Sequence, residues 1–411
     1  MISVLAYGFI AFAYSAVLLV AGLARIVRQR RWRRTGRILV TGTFHNPNWY
    51  VSHISPLAQC GIGEVIVVAD RPEDPMPGVR FACPPRWLAK VVSRAVAKLI
   101  WLVITGLRCR PDAYMGYHIV PAGCAALVAG RLLGRPACYQ MTGGPIEILG
   151  GGIHSDCWCR GRLGHPSAYL EALAARVIGQ MDLVVVRGAA AKAFLAGHGV
   201  NGTVSIITGS VRPCEAKTSV RRDEDLVFLG RLAPIKQPEQ FVDVVAAVAD
   251  ARPSVRGVVV GDGPRRQAMR ARAAELGVSD RLRFMGRRKD VEGVLQRCRV
   301  FVLTSRSEGL SIAMAEAMAN GAVPVVPDVG ELDELVRDGV NGYLVEPNNV
   351  REYAARVTSL LRDPDLWQRC SLAAMKAARE KCSVAVISAQ WQNALQDVLE
   401  RGGAQRLGPQ D

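Results

Sequence analysis

Between Arg37 and Glu346 short apolar runs alternate with segments of helical pattern, and they do so in two successive series. The first series of strand candidates covers 37–42, 64–69, 112–118, 136–142, 182–187 and 203–207. The second covers 226–230, 256–260, 281–285, 299–304, 323–327 and 342–346. Helical patterns fall between them, at 120–133 and 167–180, then at 238–251, 264–276, 290–297, 311–320, 331–337 and 349–362. Strictly alternating strands and helices imply parallel sheets covered by helices. The expected fold class is therefore α/β, with two Rossmann-like domains facing a cleft and strand carboxyl ends forming the default ligand site. A polar stretch, 209–225, reads as the linker, which sets the domains at 38–208 and 226–382. Residues 383–411 are expected to form a helix and tail packing back toward the N-terminal domain. Neither series carries a GxGxxG after its first strand, which argues against a classical dinucleotide dehydrogenase.

Ahead of this pattern, Ile2 to Ala24 holds no charged side chain, long enough to span a bilayer's hydrocarbon core. Arg25, Arg28, Arg30, Arg31, Arg33, Arg34 and Arg37 follow at once, and the first acidic residue is Glu64. A secretory signal carries its cations before the apolar run, not after it. The positive-inside rule then reads 1–24 as a transmembrane anchor and 25–37 as a basic juxtamembrane segment, with an interfacial helix or a cleaved signal as the alternatives. The expected location is the inner (cytoplasmic) membrane, single-pass, with the catalytic domains on the cytoplasmic side. A second basic stripe, Arg86, Lys90, Arg94 and Lys98, recurs every four residues along 86–103 and fits a helix with a cationic edge.

The 411 residues carry 52 Lys+Arg against 36 Asp+Glu, a net charge of +16. Such a balance suits nucleic acid, anionic lipid or phosphorylated small molecules. The positions favour the last two, since no nucleic-acid motif surrounds the cations. Eleven scattered cysteines form no disulfide framework and suit a reducing compartment. Cys157-Trp158-Cys159 is too tight for ordinary zinc ligands, and no second pair supports it.

Four features of the second series converge on an anionic ligand. The run Gly230-Arg231-Leu232 with Lys236 makes a strand-end cationic clamp, or else a solvated loop pair. Gly261-Asp262-Gly263 allows close backbone approach to a ligand, or a plain tight turn. Gly286-Arg287-Arg288-Lys289 is a small-residue basic loop that can seat a nucleobase. The run from Ser305 to Ser311 leaves a strand and enters a helix whose first N–H groups, at Gly309, Leu310 and Ser311, can hold an anion. Glu316, one and a half turns into that helix, can accept hydrogen bonds from both hydroxyls of a ribose. Glu308 can reach the hydroxyls of a second sugar.

SRSEGLSIAMAEAMANGAVPVVPDVGELDELVRDGVNGYLVEP, with GRLAPIK, GDG and FMGRRKDV upstream, resembles the donor-binding region of the retaining, GT-B-fold glycosyltransferases of family 4, the glycosyl transferases group 1. The resemblance covers roughly 225 to 381. It implies a UDP- or GDP-linked sugar donor, with Arg231 and Lys236 on the diphosphate, Glu316 on the ribose and Glu308 on the transferred sugar. It implies no metal, and Asp223-Glu224-Asp225 falls in the linker. In the first half the family's Gly-Gly pair is reduced to Gly42. His118, after strand 112–118, resembles the family's cleft-lining histidine. The loop from Met141 through Gly150-Gly151-Gly152 to His154 and Asp156 is glycine-rich and suits an acceptor-side lid. The expected activity is retaining sugar transfer to a lipid-linked saccharide or glycolipid in polysaccharide or glycolipid synthesis. The alternatives are a catalytically weak scaffold subunit of a polysaccharide assembly complex and a nucleotide-sugar epimerase.

Overall fold

The computed structural model describes residues 2–26, 34–42, 47–153, 163–212 and 221–404. Arg28, Arg30, Arg31, Trp32 and Arg33, the loop 43–46, the stretch from His154 through Asp156 to Cys159, and positions 213–220 lie outside the described residues. The chain divides into two compact units, 1–208 with 387–411, and 209–386.

Unit 1 begins with α1 (Ile2–Ile26) and continues through β1 (Arg37–Thr41), α2 (Pro47–Ala58), β2 (Glu64–Val68), β3 (Val79–Phe81), α3 (Arg86–Val92) and α4 (Arg94–Cys109). It goes on with β4 (Ala113–Tyr117), α5 (Cys124–Leu132), β5 (Ala137–Gln140), α6 (Ala168–Ile178), β6 (Leu183–Val186), α7 (Ala189–Gly197) and β7 (Val204–Ile206). The strands form one parallel sheet in the order β3-β2-β1-β4-β5-β6-β7. β1, β2 and β6 are Val/Ile-rich, and with the central β4 (Ala-Tyr-Met-Gly-Tyr) they are buried on both faces. Each fully buried Val or Leu contributes about 1.5–3 kcal/mol. One face, with Val40, Val67 and Met115, meets α2. The other, with Leu39, Tyr114 and Tyr139, meets α4, α5 and α6.

Unit 2 contains β8 (Glu224–Leu229), α8 (Pro238–Ala251), β9 (Gly257–Val260), α9 (Arg266–Glu275), β10 (Leu282–Gly286), α10 (Glu292–Arg297), β11 (Cys298–Val302), α11 (Ile312–Ala319), β12 (Val323–Pro327), β13 (Tyr343–Val345), α12 (Val350–Arg362) and α13 (Pro364–Cys382). Its parallel sheet runs β10-β9-β8-β11-β12-β13. Side-chain caps mark the late helices: Asn349 accepts from Glu352 N, and Asp363 accepts from Leu366 N ahead of Pro364. The last helix, α14 (Val384–Ala404), places Ile387, Trp391, Leu395 and Val398 in the unit 1 core beside α2.

The structure corrects several expectations. β8 opens at Glu224, inside the presumed linker, and its first turn of acids is occupied. Asp223 accepts from Arg297, Glu224 from Arg283, and Asp225 from Arg256 N. Unit 2 therefore takes in residues from 209 onward. The helix 86–103 is broken at Ser93 (φ 78°), and Lys98, buried, leaves the basic stripe to pair with the exposed Asp70 at 3.2 Å. Segment 331–337 supplies only a 3-10 turn at Leu332–Glu334. The first helix does not stand apart from the domains. It packs within unit 1, with Ile10, Tyr14 and Ala21 buried in the cluster that includes Leu127 of α5 and Leu170 of α6.

Candidate active site

In unit 2 the acid loop is a compact construction. Thr304 Oγ1, just past β11, donates to the carbonyls of Lys236 and Gln237 at 3.1 and 2.9 Å. Arg306 N donates to Ile235 O at 2.9 Å. These bonds pin the turn carrying Lys236 to the loop carrying Glu308. Glu308 Oε1 accepts from Lys236 Nζ and from Ser305 Oγ, both at 2.5 Å. The Glu308 side chain is 7% exposed and Lys236 21%, so this is a largely desolvated pair. Such a pair holds geometry more than it adds stability. Arg231 stands exposed on the loop after β8.

The GDG turn needs its glycines for packing within unit 2. A Cβ on Gly261 (φ 143°) would lie 1.8 Å from Gly230 O, and one on Gly263 (φ 158°) 2.4 Å from Leu232 O. Gly261 and Gly263 thus let two loops cross backbone to backbone, sealed by Leu232 N to Asp262 O at 3.0 Å. Gly330 (φ 64°), which the sequence did not single out, does the same against Glu308: a Cβ there would be 2.0 Å from Glu308 O.

Ser311 caps α11, accepting from Met314 N at 3.4 Å, so Gly309 and Leu310 lie immediately before the helix start. Glu316 sits on α11 and its carboxyl is densely enclosed. Burial pushes it up to about 7, with the Arg212 guanidinium pulling the other way. Arg287 is exposed on the loop after β10. A cavity of about 450 Å³ nearby is lined by Arg283, Met285, Arg288, Lys289, Gly293 and Arg297, among others. Neither Arg287 nor any acid-loop residue lines it, so it is not the site described here.

In unit 1, Gly42 is buried directly after β1. His118, directly after β4, has φ 63°, a backbone state that costs a residue with a side chain about 1–3 kcal/mol. Its imidazole is 41% exposed, and Nδ1 lies 3.0 Å from Glu147 Oε1. Glu147 was not anticipated. It is buried at 3% exposure and also accepts from Gly143 N at 2.7 Å and Tyr139 OH at 2.7 Å. Burial alone would raise its pKa, but the His118 charge and these hydrogen bonds bring it down to about 2. An ionised carboxylate only accepts, so His118 Nδ1 carries the proton facing it. Thr142 Oγ1, 3.1 Å from Nδ1, completes the set.

A second pair was also missed. His53 of α2, fully buried, sits 2.6 Å from Arg187 at the end of β6. Burial first, then the charges of Arg187 and His118, hold its pKa well below the usual histidine range. The neutral ring therefore accepts from the guanidinium. Among the described residues no group of three or more His, Cys, Asp or Glu is arranged to hold a metal ion.

Residues 215–377 match the family model described as Glycosyl transferases group 1. Over 155 residues the chain is 34% identical to D-inositol 3-phosphate glycosyltransferase of Mycobacterium sp. (strain KMS), covering 37% of this chain and 35% of that protein. The chain thus spans about a third of the length of these curated relatives. Alpha-D-kanosaminyltransferase of Streptomyces kanamyceticus aligns over more of the chain, 26% identical over 325 residues, 71% of this chain and 80% of that one. Among solved structures, Anabaena HepE in complex with UDP-glucose superposes with a TM-score of 0.68 at 18% identity, covering 88% of this chain and 99% of that one. Sucrose-phosphate synthase from Thermosynechococcus elongatus gives 0.70 at 17% identity, covering 90% and 100%. At such identities the likeness is one of fold. Most of unit 2 thus matches the glycosyl transferases group 1 model, and the two-sheet chain that carries it has the GT-B fold.

Proposed function

We propose that this protein is a retaining glycosyltransferase that moves a sugar from a nucleotide-diphospho-sugar to a lipid-linked or glycolipid acceptor in polysaccharide or glycolipid synthesis. The observation that carries the reading is the acid loop, where Glu308 and Lys236 are locked together by Ser305 and Thr304 in the stretch that matches the family model. Arg231 and Lys236 are assigned to the diphosphate, Glu316 to the ribose and Glu308 to the transferred sugar. His118, held by Glu147, is assigned to the acceptor side. Breaking the anomeric C–O bond leaves positive charge on the sugar and negative charge on the departing diphosphate. Fixed cations aimed at that charge are the main catalytic influence available to this chain's own residues. The complexes of Anabaena HepE with UDP and with UDP-glucose support a uridine nucleotide as the first donor to try.

The test is a thermal-shift screen with UDP-, GDP- and ADP-sugars, since a ligand that binds only the folded state raises its apparent stability. It is followed by acceptor-free hydrolysis of whichever sugar binds. One nucleotide sugar is expected to raise the melting temperature and to be hydrolysed slowly, with the released sugar of the donor's anomeric configuration. A chain that binds none of them, or binds without any turnover in membranes or extracts rich in acceptor, is not a transferase.

A further inference from the structure

The exposed apolar side chains are not scattered. On α1 the residues Leu5, Phe9, Phe12, Leu19 and Leu23 are 57–72% exposed and follow the helical repeat, one outward line along the helix. The opposite line, Ile10, Tyr14, Val17 and Ala21, packs into unit 1 against α5 and α6. The same helix layer exposes Leu132 on α5 and Val96 and Leu107 on α4. Beside α4, α3 turns out Trp87 and Val91, with Arg86, Lys90 and Arg94 exposed around them. Large apolar side chains lined up uncovered along one helix face mark a contact surface.

We infer that α1 lies in the plane of an anionic lipid surface as part of this face of unit 1, and does not cross the bilayer. The inference rests on the proposed membrane-associated acceptor and specifies how the membrane is met. Ile10, Tyr14 and Ala21 of α1 are already buried against unit 1, so tilting it across the hydrocarbon would carry α5 and α6 in with it. That would take the exposed Arg176 of α6 and the part-exposed carboxylate of Asp182 out of water. Lying flat, the outward line reaches the acyl chains while Arg34, Arg86, Lys90 and Arg94 stay at headgroup depth. Trp87 between them suits that interface. The cations supply charge complementarity to phosphatidylglycerol-type headgroups, which an apolar protein partner lacks.

The experiment uses the full chain with an N-terminal epitope tag, bound to sealed vesicles of phosphatidylethanolamine and phosphatidylglycerol, with protease added outside. A flat α1 leaves the tag open to digestion on the side where the two units lie. A tag protected until detergent is added means α1 spans, and overturns the inference. Phe9→Glu with Phe12→Glu and Leu19→Glu is expected to lower vesicle binding at least tenfold. Lys90→Glu with Arg94→Glu should abolish the preference for anionic over phosphatidylcholine vesicles. These variants keep the buried line of α1 and should retain nucleotide-sugar binding, which separates loss of membrane contact from misfolding. A chain that ignores vesicles but forms a dimer broken by the triple variant assigns the stripe to self-association and sinks the inference. The donor reading would stand in that case, because acceptor-free turnover is scored separately.

Discussion

The two units of this chain carry the same kind of sheet but differ in how they treat apolar surface and buried acid. Among the described residues the exposed large apolar side chains belong to unit 1 apart from Val340 and Leu372. Unit 2 closes over its own core, and its distinctive residues lie on loops at strand ends. Each unit also holds one glutamate whose pKa is clearly displaced, and the two move in opposite directions. Glu147 has a histidine and several hydrogen-bond donors, which overcome burial and hold it near 2. For Glu316 burial dominates and the carboxyl rises to about 7. The lesson is that burial sets no sign by itself; the donors supplied with it do. In unit 1 the donors are built in, whereas in unit 2 the proposed ribose hydroxyls would bring them.

If unit 2 holds the charge of the departing diphosphate, Arg231→Ala with Lys236→Ala should have the largest effect of any change considered. By comparison with single fixed donors in other enzymes, each worth about 100- to 1000-fold in kcat, the pair should remove several kcal/mol of transition-state stabilisation. Steady-state transfer kinetics on the purified variant would show it, and a parental rate would move the phosphate site elsewhere. Next in size is Gly261→Ala, whose Cβ has no room against Gly230 O. It should cost about 3 kcal/mol or more by denaturant titration. Gly277→Ala is the control, at φ 66° with nothing within 4 Å, and should cost about 1–2 kcal/mol. Equal losses at the two positions would mean that the loop crossing is not what requires glycine at 261.

What the sequence showed of each unit follows from the same contrast. Hydrophobic runs located every central strand, because a strand buried on both faces reads as a largely apolar run. β3 escaped, being three half-exposed residues at the sheet edge after a proline-rich stretch. α2 escaped because Pro56 and its aromatic and β-branched residues hide the helical period. In unit 2 the acid loop is contiguous, so Glu308 and Glu316 could be picked out by spacing. In unit 1, His118 was legible but its partner Glu147 lies 29 residues away, across β5. His53 and Arg187 are 134 apart. No local pattern links such pairs; a φ of 63° at His118 and a buried acid become visible only in three dimensions.

Glu147 tests the unit 1 half of the comparison through pH. Its folded pKa of about 2 lies below the unfolded value of 4.5, so its stabilisation is complete above pH 4.5 and drains away as the pH falls toward 2. At about 1.4 kcal/mol per pH unit that gap bounds the effect at about 3 kcal/mol, less what solvent screens at the half-exposed His118 ring. Glu147→Gln should therefore be less stable than the parent at pH 7 and converge with it near pH 2 in urea titrations. It should also shift the acid limb of the transfer rate if His118 acts on the acceptor side. A variant that keeps the parental pH–stability slope between 5 and 3 would remove Glu147 from this account.

Glu316 is the smaller and sharper case. Its folded pKa is raised, so its linkage runs the other way: stability is greatest below 4.5 and falls as the pH climbs through about 7. Donor binding should do the reverse, because a ribose diol donates best to the ionised carboxylate. Affinity for the nucleotide sugar is expected to rise about tenfold from pH 6 to pH 8, following the ionised fraction of a group titrating near 7. The nucleotide sugar is the right probe for calorimetry, since its diphosphate is esterified at both ends and carries no proton lost near neutrality. Glu316→Gln should bind more weakly at pH 8 and lose most of the pH dependence. If the variant keeps the full tenfold rise, the titrating group is not Glu316, and the contrast between a carboxyl supplied with donors and one awaiting them fails at its unit 2 end.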